Sequence, residues 1–350
     1  MGKRAVMAAL WLALAATPVL AQDAGEQQPD FEAQLASRFA PPPAGWQVPR
    51  TEWGDPDLRG TWPVDYLGQT PRERPVQFGT RAFLTPEEYA AQFEEAQFQL
   101  DRYDEEVELG VMSMGHWAER GHPLRQTSMV VEPANGRYPP LTALGQQLRA
   151  NERTSWNTEV FDSLDDFGIF DRCLTRGMPS SMLPGAYNAG IEVFQSPGLV
   201  AISLEMIHET RLVHIGGTPP PPAVQFDLGY SVGRWEGDTL VIETTNFRPG
   251  MSMGPAPNSD RLKVTERLTL MNPDQIRYEA RVEDPLVMEG HYKLDIPWQR
   301  HPDYGMFEYA CHEGNVQVRG YILSTSPRFA AQREAAWAAR EAAAGGSASQ

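Results

Sequence analysis

The chain is short of positive charge. Among its 350 residues Lys and Arg total 30 against 46 Asp and Glu, a formal net charge of −16. A nucleic-acid binder needs a basic face to displace counterions from phosphates, so that class of partner is excluded. Attachment to anionic lipid by charge is excluded on the same ground. Long apolar runs are also scarce. The one near the start, residues 5–16, is about 12 residues long, below the roughly 20 that a span requires. No Gly-rich dinucleotide pattern and no phosphate loop occurs, and no cofactor is expected. Internal repeats are absent. Cysteine is limited to Cys173 and Cys311.

What is present at the start reads as an export signal. Lys3 and Arg4 precede the apolar run, and Val19-Leu20-Ala21 offers small or apolar residues before a cut near Gln22. The expectation is a signal peptide over 1–21 and a periplasmic or secreted protein with no membrane span in its mature chain. An even cysteine count in an oxidising compartment favours one disulfide, Cys173 to Cys311, over two buried thiols.

Residues 22–52 are polar and contain Pro41-Pro42-Pro43, so they read as a flexible tether. Residues 53–325 read as a single mostly β domain with a helical insertion near 86–151. Thr85, Pro86 and Glu88 form a helix-start signature, and a second helix is expected over 142–151. Residues 326–350 form an Ala-rich helical tail that frays at its end. From 191 onward apolar and polar residues alternate, with turn signals between them. Strands are expected at 191–194, 199–215, 239–247, 262–270, 276–282, 292–298 and 307–310. The fold class is mainly β: an antiparallel meander curled into a barrel or sandwich, with a few flanking helices. Pro219 to Pro222 mark an extended loop between strands.

Three stretches resemble a family of exported bacterial proteins of unassigned activity. They are Glu205-Met-Ile-His208, Gly233-Arg-Trp-Glu-Gly-Asp-Thr-Leu-Val-Ile-Glu-Thr-Thr-Asn-Phe247 and Glu308-Tyr-Ala-Cys-His-Glu-Gly-Asn315. The resemblance implies an exported, mostly β domain and carries no catalytic assignment. Gly60-Thr61-Trp62 resembles the Gly-x-Trp that opens lipocalin (calycin) barrels.

Alternation also places polar groups. If 200–214 is one strand, His208 shares a face with Val200, Ile202, Leu204, Met206, Leu212 and His214, while Glu205, Glu209 and Arg211 face outward. Glu266 falls among inward Leu262, Val264, Leu268 and Leu270. A buried carboxylate and imidazole are costly unless paired or solvated in a cavity, and burial moves both toward neutrality. Two readings stand. In one, His208 and Glu266 are an acid–base pair in an interior pocket, with Tyr187, Asn188, Tyr278 and His312 as substrate-binding candidates. In the other, both groups only fix strand register.

Gly229-Tyr-Ser231-Val-Gly233 matches the hydrolase Gly-x-Ser-x-Gly. That motif needs a helix after the serine, and here a turn and a strand follow. His116 and His122, like His208 and His214, are six apart, and neither His208-Glu209 nor His312-Glu313 continues to His-Glu-x-x-His, so no metal site is expected. The functional expectation is a protein binding a small, fairly apolar molecule. It is either a cofactor-independent lyase, isomerase or hydrolase, or a non-catalytic ligand-binding or envelope-associated structural protein of open oligomeric state.

Overall fold

The computed structural model describes residues 31–64, 67–111, 123–185 and 187–346. The export signal at 1–21, the first part of the 22–52 segment, His116, His122 and the last four residues lie outside them.

Helix α1 (Phe31–Ala36) opens the described chain. It does not belong to a loose tether. Leu35 and Phe39 are buried. Between them, Arg38 donates to the Asp295 carboxylate at 2.5 Å, to the Asp295 carbonyl at 3.0 Å and to Gln126 Oε1 at 2.5 Å. The expectation of a flexible 22–52 is therefore corrected for residues 31–52. One apolar pair at helical spacing and one cation are enough to fasten a mostly polar segment when a buried carboxylate awaits them.

Strand β1 (Gly60–Thr61) leads into Trp62, which is fully buried and donates from Nε1 to Leu58 O at 2.9 Å. The Arg300 guanidinium lies over the Trp62 ring, 4.2 Å from its centroid. Gly60 is required here. Its φ is 134°, and a Cβ would collide with Arg300 Nη1. Helix α2 (Pro86–Leu109) starts with the expected reciprocal cap between Thr85 and Glu88, then β2 (Val130–Glu132) follows, and α3 (Ala143–Asn151) is capped by Thr142.

The remaining strands are β3 (Ile191–Ser196), β4 (Leu199–Leu204), β5 (Thr210–Ile215), β6 (Tyr230–Glu236), β7 (Thr239–Thr245), β8 (Lys263–Asn272), β9 (Gln275–Glu283) and β10 (His291–Gln299). All ten form one curled sheet, ordered β1-β3-β4-β5-β6-β7-β8-β9-β10-β2, a half-barrel with a few flanking helices. Pairing is antiparallel except between β5 and β6, which run parallel. The proline loop that joins them is held by one side chain: Asn246 Nδ2 donates to the carbonyls of Pro220, Pro221 and Val224.

Period-two patterning sets the two faces. On β8 and β9 the residues Val264, Leu268, Leu270, Ile276, Ala280 and Val282 are buried. The opposite face carries ion pairs such as Lys293–Glu279 at 2.8 Å and Arg281–Glu283 at 3.0 Å. Beyond the sheet come α4 (Cys311–Gly314), α5 (Val316–Thr325) and α6 (Ala330–Gly346). Cys173 and Cys311 are disulfide-bonded, with Cα atoms 5.8 Å apart. No helix among the described residues is long and apolar enough to cross a membrane.

Candidate functional site

The expected pair, His208 and Glu266, divides between two different places. Residues 199–215 are not one strand. β4 ends at Leu204, and the chain makes a tight turn through Met206–His208. The backbone N–H of Leu204 then bonds Glu209 O at 2.8 Å to close a hairpin. Ile202 consequently faces Arg211 across the pair, and both are buried. The outward placing of Arg211 and the inward placing of His208 are both corrected: the turn shifts the alternation by one residue, which exchanges the faces.

Arg211 meets Glu266 inside the half-barrel. Its Nη1 donates to Glu266 Oε1 at 2.9 Å, and its Nη2 donates to Glu266 Oε2 and, at 2.8 Å, to Thr244 Oγ1. Nε donates to Ser231 Oγ at 2.9 Å, and Tyr278 donates from its hydroxyl to Glu266 Oε1 at 2.9 Å. Strands β5 to β9 thus contribute one polar side chain each to a closed network. Tyr278 stacks on Trp298 of β10, ring centroids 4.8 Å apart. Burial, then the Glu266 charge, pushes the Tyr278 phenol well above its ordinary value. Glu266, Tyr278 and Trp298 are fully buried, so this interior is packed rather than open to a substrate. Ser231 is an acceptor in the network, consistent with a structural rather than nucleophilic Gly-x-Ser-x-Gly.

His208 belongs to the turn at one end of the sheet. Ile207 and His208 have φ of 62° and 45°. A β-branched residue at positive φ is strained, by about 1–3 kcal/mol, and persists only where its surroundings hold it. Ile207 is held by burial. Glu205 anchors the start of the turn: its carboxylate accepts from Asn188 Nδ2 at 3.0 Å, Gly190 N at 3.0 Å, Tyr304 Oη at 2.7 Å and Phe307 N at 3.0 Å. A Cβ at Gly190 would meet Met306 Sδ, Glu205 Oε2 and the Tyr304 ring at 2.5 to 2.7 Å. The strand expected at 307–310 is absent, because the Phe307 N–H goes to Glu205 instead of to a neighbouring strand.

His208 is exposed, and its Nδ1 lies 2.9 Å from Tyr309 O. A carbonyl only accepts, so Nδ1 carries the proton and the Nε2 lone pair of the neutral ring is left available. The next residue, Glu209, accepts from Ser181 Oγ at 2.9 Å and from Thr175. Burial pushes its carboxyl above the ordinary value. Tyr309 stacks near-parallel on Tyr187, centroids 6.2 Å apart. Burial and the hydrogen bond with Tyr187 raise the Tyr309 phenol.

These two tyrosines line a cavity of about 500 Å³. Trp156, Phe170, Asp171 and Tyr321 continue its wall, and the Cys173–Cys311 bridge is built into it. Tyr187 and Tyr309 also neighbour Arg176, which is only 7% exposed. Of the residues expected to bind substrate, Tyr187 lines the cavity and Asn188 holds Glu205. Tyr278 is sealed in the interior network, and His312 is exposed on α4 outside the cavity lining. Arg176, Glu205, Glu209 and Tyr309 were not singled out from sequence. The only signal for them was that Glu205 and Tyr309 lie within the quoted resemblance stretches, beside His208.

Among the described residues no group of three His, Cys, Asp or Glu side chains is placed to hold a metal. Comparison of the chain with family models, with curated proteins and with solved structures gives no match. The resemblance of the Gly233–Phe247 and Glu308–Asn315 stretches therefore remains an expectation, and the function rests on the geometry.

Proposed function

We propose that this chain is an acid–base enzyme for a small molecule. Its site is the tyrosine-lined cavity and the adjoining 205–209 turn, not the inside of the half-barrel. His208 is the general base, through Nε2. Glu209 is the acid, kept protonatable by burial, which outweighs the opposite pull of its hydroxyl partners. The reaction class is lyase, isomerase or hydrolase, chemistry in which a positioned base and acid contribute about 10²–10⁴-fold each.

The observation that carries this reading is the strained turn. A chain that only needed to reverse direction between β4 and β5 would use Gly or Asn at positive φ. Here buried Ile207 and exposed His208 are held there, Glu205 secures the turn with four hydrogen bonds, and the imidazole is oriented by the Tyr309 carbonyl. The half-barrel interior supports no rival site, since Arg211, Glu266 and Tyr278 satisfy one another there. Export to the periplasm or medium is part of the proposal, and the Cys173–Cys311 bridge supports it.

A thermal-shift survey of small molecules on the mature protein identifies ligands, and NMR follows their turnover. Wild type is expected to transform one of them. His208→Gln and Glu209→Gln are each expected to bind it and to turn it over at least about 100-fold more slowly. Unchanged rates in both variants would sink the proposal. A ligand that binds at the cavity and is never transformed would make the protein a non-catalytic binder.

A further inference from the structure

Burying a guanidinium takes five N–H donors from water, and the fold normally supplies acceptors. Arg211 is supplied with four, two of them from the Glu266 carboxylate. Arg176 is not so supplied. Among the described residues its guanidinium makes one hydrogen bond, 3.4 Å from Nη1 to Leu183 O, at the edge of bonding distance, and it forms no ion pair. Glu209 is near enough for its charge to be felt, yet its carboxylate is taken up by Ser181 and Thr175. A second arginine reaches the same segment: Arg72 is partly buried, touches Ser180 Oγ at 3.5 Å and the Tyr138 phenol, and among the described residues also forms no ion pair. Burial, and after it the Arg72 charge, brings the Arg176 guanidinium down to about 10. Two neighbouring cations without a carboxylate partner among the described residues repel each other. An anion placed against them relieves that repulsion.

We propose that Arg176 and Arg72 form an anion subsite beside the cavity, and that its occupant is the carboxylate of an aromatic small molecule. The planar guanidinium fork matches a carboxylate. The near-parallel Tyr187 and Tyr309 rings, together with Trp156, Phe170 and Tyr321, supply flat faces for an aryl body. Glu209 beside the subsite disfavours a dianion such as phosphate. This deepens the reading of the cavity as the site, and it rests on that reading.

The test is calorimetric titration of the mature protein with three probes: cinnamate, its neutral isostere cinnamamide, and inorganic phosphate. Cinnamate is expected to bind at least about tenfold more tightly than either of the others. Arg176→Met and Arg72→Gln are each expected to weaken cinnamate by about thirtyfold or more and to leave cinnamamide within about twofold. Arg176→Lys, which keeps charge and loses the fork, should fall between. Circular dichroism checks that each variant is folded, and Lys serves if Met does not fold. Absence of cinnamate binding, equal affinity for acid and amide, or undiminished cinnamate affinity in folded Arg176 variants would each overturn the subsite. Phosphate binding as tightly as cinnamate would also overturn it. The two proposals fail separately. Arg-dependent binding without His208-dependent turnover keeps the subsite and removes the enzyme. His208-dependent turnover of a neutral ligand does the reverse.

Discussion

Two of the three arginines buried among the described residues, Arg211 and Arg176, differ in their surroundings. Arg211 sits under the sheet with a carboxylate, two hydroxyls and, through Glu266, a tyrosine phenol, all within hydrogen-bond distance. Arg176 sits in the loops at the sheet's end with one carbonyl at 3.4 Å. The first network is buried, and none of its residues has a positive φ. The second adjoins Cys173, Asn188, Ile207 and His208, four of the five non-glycine residues with positive φ among those described. A buried charge held by a bidentate carboxylate and two hydroxyls explains itself as structure. One that is not points to a partner from outside. Glu266 is buried, as its place in the alternation implies, but it pairs with Arg211 and Tyr278 and not with His208, and burial alone does not distinguish these two cases.

The largest effect expected from mutation is in the closed network. Glu266→Leu would leave the Arg211 charge buried with only hydroxyls, at a cost of about 3–5 kcal/mol and a fall in Tm of roughly 10 °C. The double variant Arg211→Met with Glu266→Leu should recover most of that loss, because an apolar pair replaces an ion pair nearly neutrally. Thermal unfolding of the single and double variants checks this. A Glu266→Leu protein as stable as wild type would break the comparison at its structural end.

Next comes Glu205, which joins the two regions because it holds the strained turn to the 304–307 segment. Glu205→Ala removes the acceptor from two backbone N–H groups, an amide and a phenol. It should cost about 2 kcal/mol in urea unfolding. The 301–310 segment should lose amide-exchange protection selectively while the β8–β9 pair keeps its own. Uniform loss of protection across the sheet would mean that the turn is not a separable element.

Arg176→Met should have a smaller effect on stability, of opposite sign to Glu266→Leu. Removing an unpaired buried cation is expected to leave unfolding free energy unchanged or raise it by up to about 1 kcal/mol. A loss above about 2 kcal/mol would show that Arg176 is as structural as Arg211.

Much of the architecture was legible because it rests on alternation. β8 and β9 follow it residue by residue and β10 as far as Leu294, and Glu266 stood out by interrupting it. The Thr85–Glu88 cap and the Cys173–Cys311 bridge are local or parity arguments and needed no tertiary information. What failed depended on single backbone angles or distant partners. Ile207 at φ 62° moves Arg211 to the inner face, and no residue type announces that. The docking of α1 depends on Asp295, more than 250 positions away. Residues 307–310 have strand-like side chains, but the Phe307 N–H is claimed by Glu205 and the Tyr309 carbonyl by His208. His208 was found as a polar residue among aliphatic ones, and Tyr187 as a substrate-binding candidate. Arg176 was not, because it lies in a loop where no periodicity exists to be broken.

The smallest and most discriminating effect concerns Glu209. Its carboxyl is raised above the ordinary value of 4.5 by burial, against the pull of Ser181, Thr175 and Arg176. Between that value and the raised one, the folded state holds a proton that the unfolded state has released. Stability therefore falls as pH rises through this window, and the loss is complete above the raised value. Glu209→Gln has no such slope. At pH 4 the variant and wild type should melt together. As pH increases the variant should become the more stable, by about 1–3 °C once the window is passed. The same substitution should abolish most turnover, so stability and activity move in opposite directions. That is the behaviour of a group retained for chemistry at the expense of the fold. Were Glu209 structural like Glu266, the glutamine variant would be the less stable protein at every pH, and the pH-dependent gap would have the opposite sign.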